Sequence, residues 1–180
     1  MNLPKKTEAE LVEGCKKQDS LLQREFFDRY AGKMMGVCRR YTASRMDAED
    51  MLQDGFVKVF ERIDQFNGTS VEAWMRSVFV NLCLSNWRKN RRVFQVSDEI
   101  LEKEPGAVED GLQNLQTEDL LKLIGELPEG ARVIFNLFAI EGFPHTEIAL
   151  MLEITESASR AQLTRARQLL QRKLLHPLNN

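Results

Sequence analysis

Residues 145–172 read HTEIALMLEITESASRAQLTRARQLLQR. In the first eight, Ile148, Ala149 and Leu152 recur at the three-and-four spacing of one helical face. Glu153-Ile154-Thr155 follows as a turn, with Ile154 directed inward. Thr155 or Ser157 then caps a longer helix whose apolar stripe is Leu163, Ala166 and Leu170. A short helix, a tight turn and a longer helix make a helix-turn-helix, a layout whose second helix enters the DNA major groove. Arg160, Gln162, Thr164, Arg165 and Arg167 lie on that second helix and cannot all face a core. Arginine can donate two hydrogen bonds to guanine, and glutamine can pair with adenine in the same two-point way. Arg172 and Lys173 lie further along and suit phosphate. The bland alternative is a basic surface helix, but the short helix and turn before it make the pattern more specific. Glu153 stands where such turns usually carry glycine, which predicts a positive φ at about 1 kcal/mol of strain.

The charge is distributed in a way that its total of −2 conceals. Residues 1–92 carry +4, residues 93–117 carry −5 and residues 118–180 carry −1. Ser157–Leu175 holds five basic side chains and no acid, and the local field decides whether a polyanion is attracted. The acidic segment 93–117 also contains Pro105-Gly106 and Gly111 and lacks a sustained apolar stripe, so it reads as a flexible linker. It divides the chain into residues 1–92 and residues 118–180. The expected fold is all-α: two small helical domains joined by that linker, the second containing the helix-turn-helix.

The first 92 residues read as four helices. Leu11, Val12 and Cys15 share a face in residues 8–18. Residues 19–44, capped by Asp19 or Ser20, carry Leu22, Phe26, Phe27, Tyr30, Met34, Val37 and Tyr41. Asp47 is expected to cap a third helix reaching Phe66, with Met51, Leu52, Phe56, Val59, Phe60 and Ile63 inward, and Asn67-Gly68 ends it. Ser70 caps a fourth, reaching Arg92, with Trp74, Val78, Leu82 and Trp87. After the linker, Glu118–Leu127 and Glu129–Glu141 are expected as helices, with Pro128 at the first position of the latter and Gly142 ending it.

Two stretches carry a family resemblance. Asp47-Ala48-Glu49-Asp50-Met51-Leu52-Gln53-Asp54-Gly55-Phe56-Val57-Lys58-Val59-Phe60, and Ala73-Trp74-Met75-Arg76-Ser77-Val78-Phe79-Val80-Asn81-Leu82 followed by Trp87-Arg88-Lys89-Asn90-Arg91-Arg92, resemble region 2 of bacterial sigma-70 family sigma factors. Leu127-Pro128-Glu129, Val133-Ile134-Phe135, Glu141-Gly142-Phe143 and Glu147-Ile148-Ala149 are similar to region 4 of the same family. Two regions, an acidic linker and a short chain resemble the extracytoplasmic-function (ECF) group.

The resemblance implies roles residue by residue. Asp47, Glu49, Asp50, Gln53 and Asp54 would bind core RNA polymerase at its β′ clamp helices. Four acids at a helix start also favour the helix dipole without any partner. Asp54, beyond the first turn, is least explained that way. Asn81, Trp87, Arg88, Lys89, Arg91 and Arg92 would recognise and melt the −10 element, with Trp87 either a stacking surface or a core anchor. Arg160, Ala161, Gln162, Thr164, Arg165 and Arg167 would meet the −35 element. Ser157-Ala158-Ser159 replaces the family's frequent Gly-Thr-Val, which puts a hydroxyl at Ser159 where an apolar group often packs. The implied partners are core polymerase, through the β′ clamp helices and the β flap, and promoter DNA. An anti-sigma factor is a partner that the resemblance allows.

Other classes are poorly served. No G-x-x-x-x-G-K-[ST] loop, H-E-x-x-H or nucleophile elbow occurs, so no enzyme is expected. Cys15, Cys38 and Cys83 are odd in number, and neither histidine sits near them, so no disulfide framework, metal or cofactor is expected. Met1–Lys17 lacks a signal-peptide core and no apolar run spans a bilayer, so a cytoplasmic protein without stable membrane insertion is expected. A stand-alone helix-turn-helix regulator is the alternative. It leaves the acidic helix and the basic run after Trp87 without a purpose.

Overall fold

The computed structural model describes residues 6–90 and 117–175, with only the backbone at Asn90, Thr117 and Leu175. The expected linker, and with it Arg91 and Arg92, lies outside the described residues. Those described are helical and contain no strand. In chain order the helices are α1 (Glu8–Lys16), α2 (Ser20–Tyr41), α3 (Arg45–Arg62), α4 (Val71–Asn90), α5 (Thr117–Gly125), α6 (Glu129–Phe135), α7 (His145–Leu152) and α8 (Glu156–Leu175). A 3-10 turn, Ile63–Gln65, follows α3, and a π-helical stretch, Asn136–Ile140, continues α6. Backbone proximity divides the chain into two units: residues 1–38 with 45–83, and residues 39–44 with 84–180.

In the first unit, side-chain caps set the helix starts. Thr7 and Glu10 form a reciprocal capping box at α1. Gln18, at φ 56°, turns the chain between α1 and α2. The Asp19 carboxylate accepts from the N–H groups of Leu21 and Leu22 at 2.9 and 3.2 Å, and the Ser70 hydroxyl accepts from Ala73 N–H at 3.2 Å. Asp47 does not act as the cap expected of it. The helix begins two residues earlier, and Arg45 pairs with Glu49 across one turn at 2.8 Å.

The core of this unit is aromatic. Phe27 meets Phe56 at 4.5 Å between ring centroids, and Phe56 meets Phe79 edge-on at 5.7 Å. Gly55 makes the α3–α4 approach feasible, because a Cβ there would sit 2.1 Å from Phe79 Cε1. At the edge of the core the buried Tyr30 donates to the Glu8 carboxylate at 2.6 Å, and at the surface Lys33 pairs with Glu72.

In the second unit, α6 is the central element, with every residue from Gly130 to Phe135 buried. Arg132 is among them, and its guanidinium donates to the Gly125 carbonyl at 2.8 Å. Helix α8 packs against α5, α6 and α7. Two expectations are corrected here. Pro128 is the N-cap residue of α6 rather than its first helical residue, at φ −53° and ψ 141°. Proline's ring restricts φ but leaves ψ free to stay extended, so it can stand just outside a helix as well as just inside. The expected helix to Glu141 is also not uniformly α. Its last turn widens, and Glu141 N–H donates to Asn136 O, five residues back, at 2.9 Å. Gly142, at φ 79°, then reverses the chain as anticipated.

The glycines of α2 and α3 should respond oppositely to alanine. Gly32 and Gly36 have open space at their Cβ positions, so Gly32→Ala should stabilise the chain by about 0.5–1 kcal/mol. Gly55→Ala drives a methyl into the buried Phe79 ring and should destabilise by about 1–3 kcal/mol despite its better helix propensity. Urea unfolding midpoints of the two variants measure both, and equal shifts would contradict the close approach.

Candidate nucleic-acid interface

The helix-turn-helix is built by α7, a left-handed turn residue and α8. Glu153 takes φ 55° and ψ 47°, and its N–H donates to the Ala149 carbonyl. The Ile154 N–H donates to the same carbonyl at 3.0 Å. Thr155 accepts from Ala158 N–H at 3.1 Å and caps α8. Ile148, Leu152, Leu163, Ala166 and Leu170 are buried, as the sequence stripe requires.

At 100° per residue, the outward face of α8 collects Ser157, Arg160, Ala161, Thr164, Arg165, Gln168 and Arg172. Arg160, Ala161, Arg165 and Arg172 are exposed, and Thr164 is half-buried. Arg160 pairs with Glu156 one turn earlier, which steadies its guanidinium beside this face. Two residues assigned to the face from sequence lie elsewhere. Gln162 is only 9 % exposed, because its angle places it at the edge of the Leu163–Ala166 stripe. Arg167 lies at the opposite edge, half-buried, with its guanidinium carbon 5.8 Å from the Phe138 ring centroid.

Ser159 is fully buried, and the structure supplies its partner. Its Oγ lies 2.8 Å from His145 Nδ1. The His145 ring is 8 % exposed and stacks on Phe138 at 4.6 Å and 19°. Burial holds the imidazole below its ordinary pKa of 6.5, helped by the positive charges of Arg160 and Arg167 and opposed by Glu156. Sequence reasoning flagged Ser159 as out of place but missed His145 and Phe138.

Two faces of the first helices are also polar and open. On α4, helical spacing aligns Ala73, Ser77 and Asn81, all exposed, and Arg88 and Lys89 are exposed near its end. Trp87 is 5 % exposed, and Val80 and Cys83 on the same helix are buried too. A ring so enclosed offers no stacking surface in this conformation. On α3, Asp47, Glu49, Asp50, Gln53 and Asp54 are all exposed. Met46 and Val57, 70 % and 56 % exposed, align with Asp50, Gln53 and Asp54. Sequence reading passed over this apolar pair, although the spacing of 46, 50, 53 and 57 was its signal. Ala48, Leu52, Gly55, Phe56 and Val59 occupy the opposite, buried side.

Known families match both halves. Sigma-70 region 2 matches residues 26–93, and Sigma-70, region 4 matches residues 117–170. The chain belongs to the sigma-70 family. The ECF RNA polymerase sigma-E factor of Haemophilus influenzae is 25% identical over 93% of this chain and 95% of its own. Its Escherichia coli K12 counterpart is 27% identical over 93% and 94%. The ECF sigma factor SigM of Bacillus subtilis is 24% identical over 80% and 90%. Among solved structures, the Bartonella quintana sigma factor RpoE, in complex with the anti-sigma factor NepR, is 22% identical, covers 87% of this chain and 98% of its own, and has a TM-score of 0.49. This sigma factor is of the ECF group and directs transcription initiation with core RNA polymerase on promoter DNA. Among the described residues, no helix is long and apolar enough to cross a membrane, and no cluster of histidine, cysteine or acidic side chains could hold a metal.

The buried imidazole gives this sigma factor a testable acid sensitivity. With His145 depressed in the folded state, the unfolded chain binds the proton more readily, so stability rises with pH. The contribution is complete above about pH 6.5 and is lost as pH falls toward the folded value. Thermal melting between pH 8 and pH 5.5 should show a falling midpoint below about 6.5. His145→Phe should flatten that limb. An unchanged slope in the variant would assign it to other groups.

Proposed function

We propose that the two exposed faces divide the work of promoter recognition. Residues 1–92 bind core polymerase and the −10 element, residues 118–180 read the −35 element, and residues 93–117 connect them. The observation that carries this is the opposed chemistry of α3 and α8. Helix α3 turns acids and two apolar side chains outward, whereas α8 turns outward arginines and small polar groups.

An acidic face enclosing exposed Met46 and Val57 suits a protein partner with basic character. The apolar pair gives area to bury, and the acids Asp47, Glu49, Asp50 and Asp54 give register and approach. That partner is the β′ clamp of the polymerase, with the β flap engaging the C-terminal unit. On α4, Asn81 is set to hold an unstacked base while Arg88 and Lys89 hold phosphate. Arg160, Ala161, Thr164 and Arg165 face the major groove, where Arg165 reads a base edge. The chemistry of RNA synthesis belongs to the polymerase, and the chain works beside it in the cytoplasm without catalysis of its own. An anti-sigma protein that covered either face would silence it.

Two substitutions separate the faces. Asp54→Ala should weaken binding to core RNA polymerase roughly tenfold and leave affinity for isolated −35 duplex DNA unchanged. Equal loss in both assays, or in neither, would refute the division. Arg165→Ala should cost about 1–3 kcal/mol in −35 binding and relax base choice at one position. A uniform loss across all sequences would show that Arg165 touches only phosphate.

A further inference from the structure

The hydroxyl at Ser159 and the imidazole at His145 are both polar groups in buried places, and they satisfy each other. His145 opens α7, Ser159 lies in the first turn of α8, and their 2.8 Å contact bridges the turn at Glu153–Thr155. Neither side chain faces outward. We propose that this hydrogen bond seats the recognition helix, making His145 and Ser159 positioning residues for −35 discrimination. The proposal rests on the reading that the outward face of α8 meets the −35 element.

Three features of the geometry carry it. First, the His145 ring is fixed in its plane by the Phe138 stack, so the direction in which Nδ1 can hydrogen-bond is fixed too. An apolar contact at Ser159 would hold α8 without a preferred direction. Second, Ser159 immediately precedes Arg160 and Ala161 and stands one turn before Thr164 and Arg165. A displacement at Ser159 therefore moves the whole reading set. Third, the same assembly touches α8 again. Phe138 carries Arg167 on its ring, eight residues beyond Ser159 and about 12 Å further along the axis at 1.5 Å per residue. Two contacts that far apart along one edge set the angle of the helix as well as its position.

The test uses holoenzyme reconstituted from the full chain and bacterial core RNA polymerase. It selects from a pool of duplex DNA randomised over the upstream promoter element. Each variant is then scored by its affinity for the wild-type-selected duplex relative to a scrambled one. Ser159→Ala and His145→Phe, the latter keeping a stacked ring without Nδ1, should each lower that preference about tenfold. Their affinities for scrambled duplex and for core polymerase should stay within about twofold of wild type. The double variant should lose no more than the worse single, because both break one bond. It also pairs two apolar side chains, so its melting midpoint shows that the loss is not unfolding. Ser159→Thr, which keeps the hydroxyl, should recover most of the preference. Additive losses in the double variant, or full preference in variants that melt like wild type, would overturn the proposal while leaving the −35 reading in place. Selection of no motif by the wild-type holoenzyme would overturn both.

Discussion

The Phe79 ring occupies the space over Gly55, and the arrangement of the first unit follows from that contact. Helices carry side chains all round, so two axes approach closely only where one surface is bare. With α3 bare at Gly55, Phe79 reaches Phe56, and Phe56 in turn reaches Phe27 and Phe60. Once that side of α3 is committed to the aromatic core, the opposite side has no freedom left. Met46, Asp50, Gln53, Asp54 and Val57 must face outward, since they lie half a helical turn away. The outward face of α3 is thus the complement of a packing constraint, and a substitution at a buried glycine would disturb it without touching it.

The second unit solves the same problem with a polar contact. Helix α8 buries Leu163, Ala166 and Leu170, which fixes its rotation about its own axis. Burial of that stripe is not directional, so polar contacts can define its slide and tilt more sharply. The Ser159–His145 hydrogen bond and the Phe138–Arg167 contact supply direction at two points along the helix. Glu153 belongs to the same device. It takes the left-handed conformation at a strain of about 1 kcal/mol so that α8 can leave the turn at the required angle.

Much of this was legible in the sequence, and the failures have two causes. Caps at Asp19, Ser70 and Thr155 follow from local chemistry, as do the stripe of α8 and the turns at Glu153 and Gly142. Where two local preferences compete within about 1 kcal/mol, spacing cannot choose between them. Asp47 could cap a helix, but the helix extends back to Arg45. The π turn at Asn136–Ile140 leaves no periodic trace over only five residues. Gln162 and Arg167 lie off the outward face of α8 for a different reason. Their types suit DNA, but each stands at a face whose neighbours had already turned it inward or sideways. Residue type proposes a partner, and only angle on the helix decides whether the side chain can meet it.

The distribution of charge completes the argument. At a net −2 the chain as a whole exerts little attraction on a polyanion, and fields fall off within about 8 Å at physiological salt. On the proposed division of work, the arginines of α8 and the basic end of α4 act at contact range rather than by drawing the protein onto arbitrary DNA. Non-specific affinity scales with the number of phosphates neutralised, and each of these small patches neutralises only a few. Useful affinity then requires both patches to engage one duplex together. That condition is met when a partner holds the two units at a fixed spacing, since joining two weak sites multiplies their effective concentration. On the proposed division, the acidic and apolar face of α3 is the surface by which such a partner takes hold without competing for DNA. Promoter specificity would then follow from keeping each DNA contact weak and making the polymerase the condition for their acting together.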